Sequence, residues 1–275
     1  MPELPEVETV RRGLAPAMEG RKIKRFEARR ADLRRALPPD MKQRLEGRKI
    51  LKVARRAKYL ILHLDHGLAL VMHLGMSGKF LVRDDTYKPG AHDHLVFKLT
   101  GGSAIVFNDA RRFGHADLVA ETALGDYPGL QDLGPEPLEE SFTGKTLTGA
   151  FKNKKVAVKV ALMDQRLVAG LGNIYAAEAL WRAHLSPKRA AGKVSGADAT
   201  RLAAGIKSVL RASIEAGGSS LRDYVRADGE LGCFQHSFAV YGRAGEPCLT
   251  RGCGGTIKQM TQGGRSTFYC PKCQR

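Results

Sequence analysis

Pro2, Glu3 and Glu6 set an amine beside two acids at the start of the chain. If Met1 is removed, as the small residue behind it permits, Pro2 presents a secondary amine. An α-amino group titrates near ~8, against about 10 for lysine, so a useful fraction is unprotonated near neutrality. Such an amine can attack an electrophilic carbon to give a covalent iminium, with Glu3 and Glu6 the nearest proton shuttles. A plain helix start reads equally from the same residues, because many chains begin Met-Pro and a first-turn glutamate stabilises the helix dipole.

Four of the five cysteines form a second group, with Cys233 alone outside it. Cys248 and Cys253 are separated by four residues, and Cys270 and Cys273 by two, with sixteen residues between the pairs. Four thiolates hold Zn2+ tetrahedrally without redox chemistry, and a hairpin-length spacer suits that geometry. A closed set of four sulfurs organises structure, so the expectation is one structural zinc per monomer and no catalytic metal. Paired disulfides are the alternative for an exported protein.

Asp109-Ala110-Arg111-Arg112-Phe113-Gly114 places two guanidinium groups beside an aromatic ring. That trio can clasp phosphates while a wedge enters a base stack, and it can equally form an ordinary packed turn. Arg265 lies on the arm returning to Cys270, where a fixed strand would aim it at phosphate or leave it facing solvent.

These groups need elements to hold them. Leu4, Val7, Val10, Leu14 and Ala17 recur at helical spacing, with Pro5 tolerated in the first turn and Gly20 as the stop. That helix would anchor the amine. Residues 59–64 and 68–73 read as strands joined by Asp65-His66-Gly67, with the loop 75–78 beyond them. Residues 94–100 and 103–108 flank Gly101-Gly102, a tight-hairpin signal. The first half therefore reads as antiparallel sheet, a sandwich with a helix attached. Residues 125–146, rich in Gly, Pro and acids, mark a boundary near 125–140.

Beyond it, the later part of 151–166 reads as helical, and a helix runs from 174 to about 184 with Ala177, Leu180, Trp181 and His184 on one face. Residues 170–173 form a glycine turn between them, with Asn173 as the expected cap. A further helix spans 198–216 and stops at Gly217-Gly218. Residues 219–238 lose periodicity, as a substrate-covering loop or a plain surface connection would. Strands at 256–260 and 265–269 complete a ribbon.

Lys and Arg number 45 against 28 Asp and Glu, a net charge of +17 with a pI near 9.9. Such an excess favours a polyanionic partner, because neutralising a phosphate backbone releases counterions, although a merely basic soluble protein has the same composition. No apolar run approaches the ~18 residues that cross a bilayer, and no secretory leader is evident, so a cytoplasmic, nucleoid-associated protein with no membrane partner is expected.

Taken in order, Pro2-Glu3-Leu4-Pro5-Glu6-Val7-Glu8-Thr9, Lys58-Tyr59-Leu60, Gly170-Leu171-Gly172-Asn173-Ile174-Tyr175 and the terminal cysteine pairs resemble the bacterial formamidopyrimidine-DNA glycosylase family over nearly the whole chain. The resemblance implies an α+β chain: an N-terminal antiparallel β-sandwich with flanking helices over residues 1–132, a helix-two-turns-helix DNA-binding domain with a lesion-covering loop over 133–240, and a zinc ribbon over 241–275. It implies a bifunctional DNA glycosylase/AP lyase that excises oxidised purines such as 8-oxoguanine and formamidopyrimidines. The partner would be duplex DNA holding such a base or an abasic site, bound by a monomer.

By the same resemblance, Pro2 is the nucleophile, Glu3 the acid-base carboxylate, Glu6 a supporting carboxylate and Lys58 a catalytic or phosphate-positioning base. His73, Asn173 and Arg265 hold backbone phosphates. Met76, Arg111 and Phe113 fill the vacated stack and probe the opposite base. Lys159 matches a lysine associated with damaged-purine processing, and 217–238 matches the loop over an everted guanine. One departure stands out: Leu249-Thr250-Arg251-Gly252 separates the first cysteine pair, where two residues are usual. Two other functions compete, a non-catalytic DNA-binding protein with a zinc ribbon and a related glycosylase for oxidised pyrimidines.

Overall fold

A computed structural model gives the structure of the chain, describing residues 2–219 and 233–275. Packing divides the chain into two compact units, Met1–Gln131 with Ala216–Cys233, and Asp132–Glu215 with Phe234–Arg275. The ribbon thus shares one unit with the helices of residues 144–215. No helix among the described residues is long and apolar enough to cross a membrane.

In the first unit, α1 (Leu4–Met18) buries Leu4, Val7, Val10, Leu14 and Met18 completely. Gly20, at φ +79, turns the chain away after it. Two four-stranded antiparallel sheets follow. One orders β1 (Ile23–Ala28), β6 (Asp93–Leu99), β7 (Ser103–Asn108) and β5 (Lys79–Asp84). The other orders β2 (Ile50–Arg56), β3 (Tyr59–Leu64), β4 (Leu68–His73) and β8 (His115–Ala120). Inner-face residues of both sheets, among them Phe26, Phe80, Phe97 and Phe107 with Leu62 and Leu70, join the α1 stripe in one core.

The two hairpins expected at 59–73 and 94–108 are present, but the sheets hold four more strands than the pattern revealed. β1 and β2 lie in two stretches, 21–35 and 42–58, that are rich in arginine and lysine, and only Ile23, Phe26, Ile50 and Val53 of these strands are buried. A short helix α2 (Met41–Leu45) sits between them and buries its two ends.

In the second unit, α4 (Val158–Met163) is the helix expected in the later part of 151–166, and α3 (Gly144–Phe151) precedes it as a helix the pattern did not reveal. The chain breaks between them, with Asn153 in the left-handed region at φ 60. α5 (Asn173–Arg182) ends two residues earlier than expected, because His184 takes φ 55 and leaves the helix exposed to solvent. α6 (Gly196–Glu215) packs closely on α5 at Gly205, where a Cβ would lie 3.0 Å from the Ala179 carbonyl oxygen. The ribbon pairs β9 (Lys258–Gln262) with β10 (Arg265–Tyr269), the first strand starting two residues later than its expected position.

Fully buried Glu178 ties these pieces together. Its carboxylate accepts backbone N–H groups of Ala239 and Val240 at 2.9 Å and Tyr241 at 2.8 Å, fixing the chain that enters the ribbon. Burial pushes its pKa up, against the lowering by those three amides.

Candidate active site and zinc centre

Pro2 and the two acids are buried together at the entry of α1. Glu3 is the N-cap, and a reciprocal capping box links it to Glu6, whose Oε2 accepts the Glu3 N–H at 2.9 Å. The helix-start reading of these residues is therefore correct as local structure. The cap also fixes both carboxylates at the helix entry, the Glu3 side chain on the N3 backbone N–H and the Glu6 side chain on the Glu3 N–H, in the turn that Pro2 leads into. Glu6 has a second task, because its Oε1 accepts both the N–H and the hydroxyl of Ser219 at 2.9 Å. Residue 219 begins the expected covering segment, of which 220–232 lie outside the described residues.

Lys58 is 8% exposed and stands in the two-residue turn between β2 and β3, beside Ala57 at φ 50. A non-glycine residue in the left-handed region is strained, and such strain collects at functional turns. At the end of β4, His73 lies between the Tyr59 ring, 4.9 Å away, and the nearly parallel His115 ring, 5.3 Å away. The Gly75 N–H donates to His73 Nδ1 at 3.0 Å. That bond assigns the imidazole's own proton to Nε2, leaving it a neutral donor. Burial, then the charges of His115, Lys58, Arg34 and Arg35, hold its pKa down at about 3.

Met76 and Phe113 are 37% and 41% exposed, at the tips of two loops that one buried acid joins. Asp109 is fully buried. It accepts from the Ser77 hydroxyl at 2.6 Å and the Gly114 N–H at 2.8 Å, and the Arg111 N–H donates to the same Ser77 hydroxyl at 3.2 Å. Gly75, at φ +63, lies against the Phe113 backbone so closely that a Cβ would meet its carbonyl carbon at 2.3 Å. The Arg111 guanidinium carbon stands 5.0 Å from the centre of the Phe113 ring, a cation–π contact. The turn is thus packed at its base and open at its tips. Nothing in the sequence pattern singled out Asp109 or Ser77 as its organisers.

In the second unit Asn173 is the first residue of α5, and Gly172 takes the N-cap position, so the expected capping role is not what its side chain does. Its Oδ1 instead accepts from the ammonium of fully buried Lys159, and its Nδ2 donates to the Ser266 carbonyl at 3.0 Å. This joins α4 and the start of α5 to β10. Arg265, at the head of β10, is exposed.

The four cysteine sulfurs all lie within 4.8 Å of one another and form no disulfide. Cys248 and Cys273 are 3.7 Å apart, and Cys253 and Cys270 are 3.6 Å apart. Tetrahedral zinc with bonds of about 2.3 Å needs sulfurs roughly 3.8 Å apart, so the residues fit the ion. Close approach also requires Gly255, where a Cβ would sit 2.7 Å from the Cys270 sulfur. The set can hold a structural zinc.

Comparison with known proteins gives the same division of labour. Residues 1–116 match the formamidopyrimidine-DNA glycosylase N-terminal domain, 133–225 the H2TH domain of that glycosylase, and 245–275 the zinc finger found in FPG and IleRS. A formamidopyrimidine-DNA glycosylase of Rhodopseudomonas palustris is 55% identical, with both chains covered completely. The crystal structure of the MutM (Fpg) protein of Thermus thermophilus is similar at a TM-score of 0.87 and 41% identity, covering 99% of this chain and 98% of that one. A complex between a Lactococcus lactis Fpg mutant and a Fapy-dG containing DNA gives a TM-score of 0.91 at 35% identity, over all of both chains. With its β-sandwich, its helices and its four-cysteine ribbon all matched along its full length, the chain belongs to the formamidopyrimidine-DNA glycosylase family of DNA glycosylase/AP lyases.

Proposed function

We propose that the chain excises oxidised purines from duplex DNA through a Schiff base on Pro2 and then cleaves the strand by β,δ-elimination. The observation that carries this reading is the buried group of Pro2, Glu3 and Glu6, with Glu6 holding Ser219 at the start of the covering segment. The Lactococcus lactis complex with Fapy-dG containing DNA supports the substrate class.

A base inside the duplex hides the sugar C1′ from an amine, so the nucleotide must first be turned out, at a cost of about a few kcal/mol of stacking. Phosphate contacts supply that energy. Neutral His73 donates from Nε2, Arg265 contributes charge, and Asn173 acts from a position that Lys159 fixes. Met76 and Phe113 fill the gap in the stack while Arg111 meets the opposite base.

Pro2 nitrogen then bonds to C1′ as the glycosidic C–N bond breaks, and the departing base takes a proton. Glu3 moves the proton that opens the sugar ring, and Lys58 serves as base or phosphate anchor. The iminium acidifies C2′, whose proton is lost as the C3′–O bond breaks. Loss of the C4′ proton then breaks the C5′–O bond, and water hydrolyses the iminium to free Pro2, leaving a one-nucleotide gap flanked by phosphates. These steps use side chains and the terminal amine, with zinc holding the ribbon in shape.

The test mixes protein and borohydride with duplexes carrying 8-oxoguanine opposite cytosine, an oxidised pyrimidine, or no lesion. An adduct on the first duplex, mapped to Pro2 and weakened by Glu3→Gln, is expected. Preferential trapping on the pyrimidine overturns the substrate class, and tight binding with no adduct on either lesion overturns the chemistry.

A further inference from the structure

The arm between Cys248 and Cys253 is longer than the family pattern, and its conformation shows what the added length does. Leu249 is 59% exposed, and Gly252 at φ +71 sends the chain back. The Cys253 N–H donates to the Thr250 carbonyl at 3.0 Å and closes a turn. That turn lays Thr250 over the metal ligands instead of bulging away from them.

The Thr250 N–H donates to Cys248 Sγ at 3.5 Å, and the Thr250 hydroxyl oxygen lies 3.5 Å from Cys273 Sγ. Between a neutral thiol and a hydroxyl either group can donate. Once the sulfurs are zinc thiolates they carry no proton, so the hydroxyl must be the donor. One residue then gives two hydrogen bonds, to sulfurs from different cysteine pairs. Trp181 of α5 packs against the same cluster of ligands.

Resting on the zinc reading above, we infer that Thr250 is a positioning residue for the metal, its amide and hydroxyl clamping the Cys248 and Cys273 thiolates together and slowing zinc release. Four thiolates and one Zn2+ leave a net charge of about −2 on the centre, so each donor aimed at sulfur stabilises the loaded form. A threonine there also adds a direct side-chain link between the two cysteine pairs, beside the packing of Cys253 and Cys270 in one cluster.

The test follows zinc release from the reduced, zinc-loaded full-length protein into a chromogenic chelator. Thr250→Val keeps the amide and the branched shape but removes the hydroxyl, and it should release zinc on the order of tenfold faster, the lower end of the effect of losing a partner of a metal ligand. Thr250→Ser should restore the slow rate. In the 113Cd-substituted protein, the Thr250 amide proton should couple to the metal through Cys248. Release from Thr250→Val at the wild-type rate, or from Thr250→Ser as fast as from Thr250→Val, overturns the inference. If Thr250→Val is recovered without metal while Thr250→Ser holds one equivalent, the hydroxyl is again responsible. Wild-type protein with clearly less than one equivalent of zinc would instead overturn the metal reading, and the clamp with it.

Discussion

Replacing His73 by glutamine removes a titrating group from the most strongly perturbed position among the candidate phosphate contacts. Burial first, then His115, Lys58, Arg34 and Arg35, hold its pKa at about 3 in the folded chain, whereas an unfolded histidine titrates near ~6.5. The unfolded chain therefore takes up the proton first. Stability from this group is complete above about pH 6.5 and is lost as the pH falls toward the folded value. Between pH 8 and pH 5 the loss comes to about 2 kcal/mol, reduced to roughly 1–2 kcal/mol for screening of a ring that still has some solvent exposure. Glutamine has no proton to take up. The stability of wild type relative to His73→Gln should thus fall by that amount as the pH drops across the interval, read from urea denaturation at several pH values. Imidazole 15N shifts should show a neutral ring with its proton on Nε2 throughout. A difference that does not change with pH, or a His73 that titrates near 6.5 in the folded protein, would refute the reasoning.

Phe113→Ala should leave thermal stability within about 0.5 kcal/mol, since the ring tip is exposed, yet weaken binding to a duplex with an abasic site by about 1–3 kcal/mol. Unchanged affinity in a titration would contradict the wedge role. Glu178→Ala strips the acceptor from two buried backbone N–H groups and the half-buried one of Tyr241, and should cost the second unit at least about 2 kcal/mol in denaturant unfolding. A cost below about 1 kcal/mol would show that those amides find other partners.

What could be read from the residues depended on how many neighbours each reading needed. The stripe of α1, the hairpins at 59–73 and 94–108 and the cysteine set are local patterns, and the structure reproduces them closely. β1 and β2 were hidden because a bulge in each, between Ile23 and Arg25 and between Ile50 and Lys52, sets their inward residues three apart and breaks the apolar period of two. Asn173 was misread as a cap because its real partners, Lys159 and the Ser266 carbonyl, are 14 and 93 positions away along the chain. Ser219 meets Glu6 across 213 positions, a pairing no spacing rule can suggest. Glu178 was missed for the same reason: its acceptors' partners come from a segment that looks aperiodic until the carboxylate organises it.

Asp109 bears on how quickly such a protein could inspect DNA. Its carboxylate and the Ser77 hydroxyl hold the loops of Met76 and Phe113 before any duplex arrives. Ordering a flexible backbone costs about 1–2 kcal/mol per residue, and here folding has already met that cost. In the proposed wedge role each step along undamaged DNA therefore begins with a rigid two-pronged probe. The dwell time at a base pair is then governed by how readily that pair unstacks, so damaged positions announce themselves by yielding sooner.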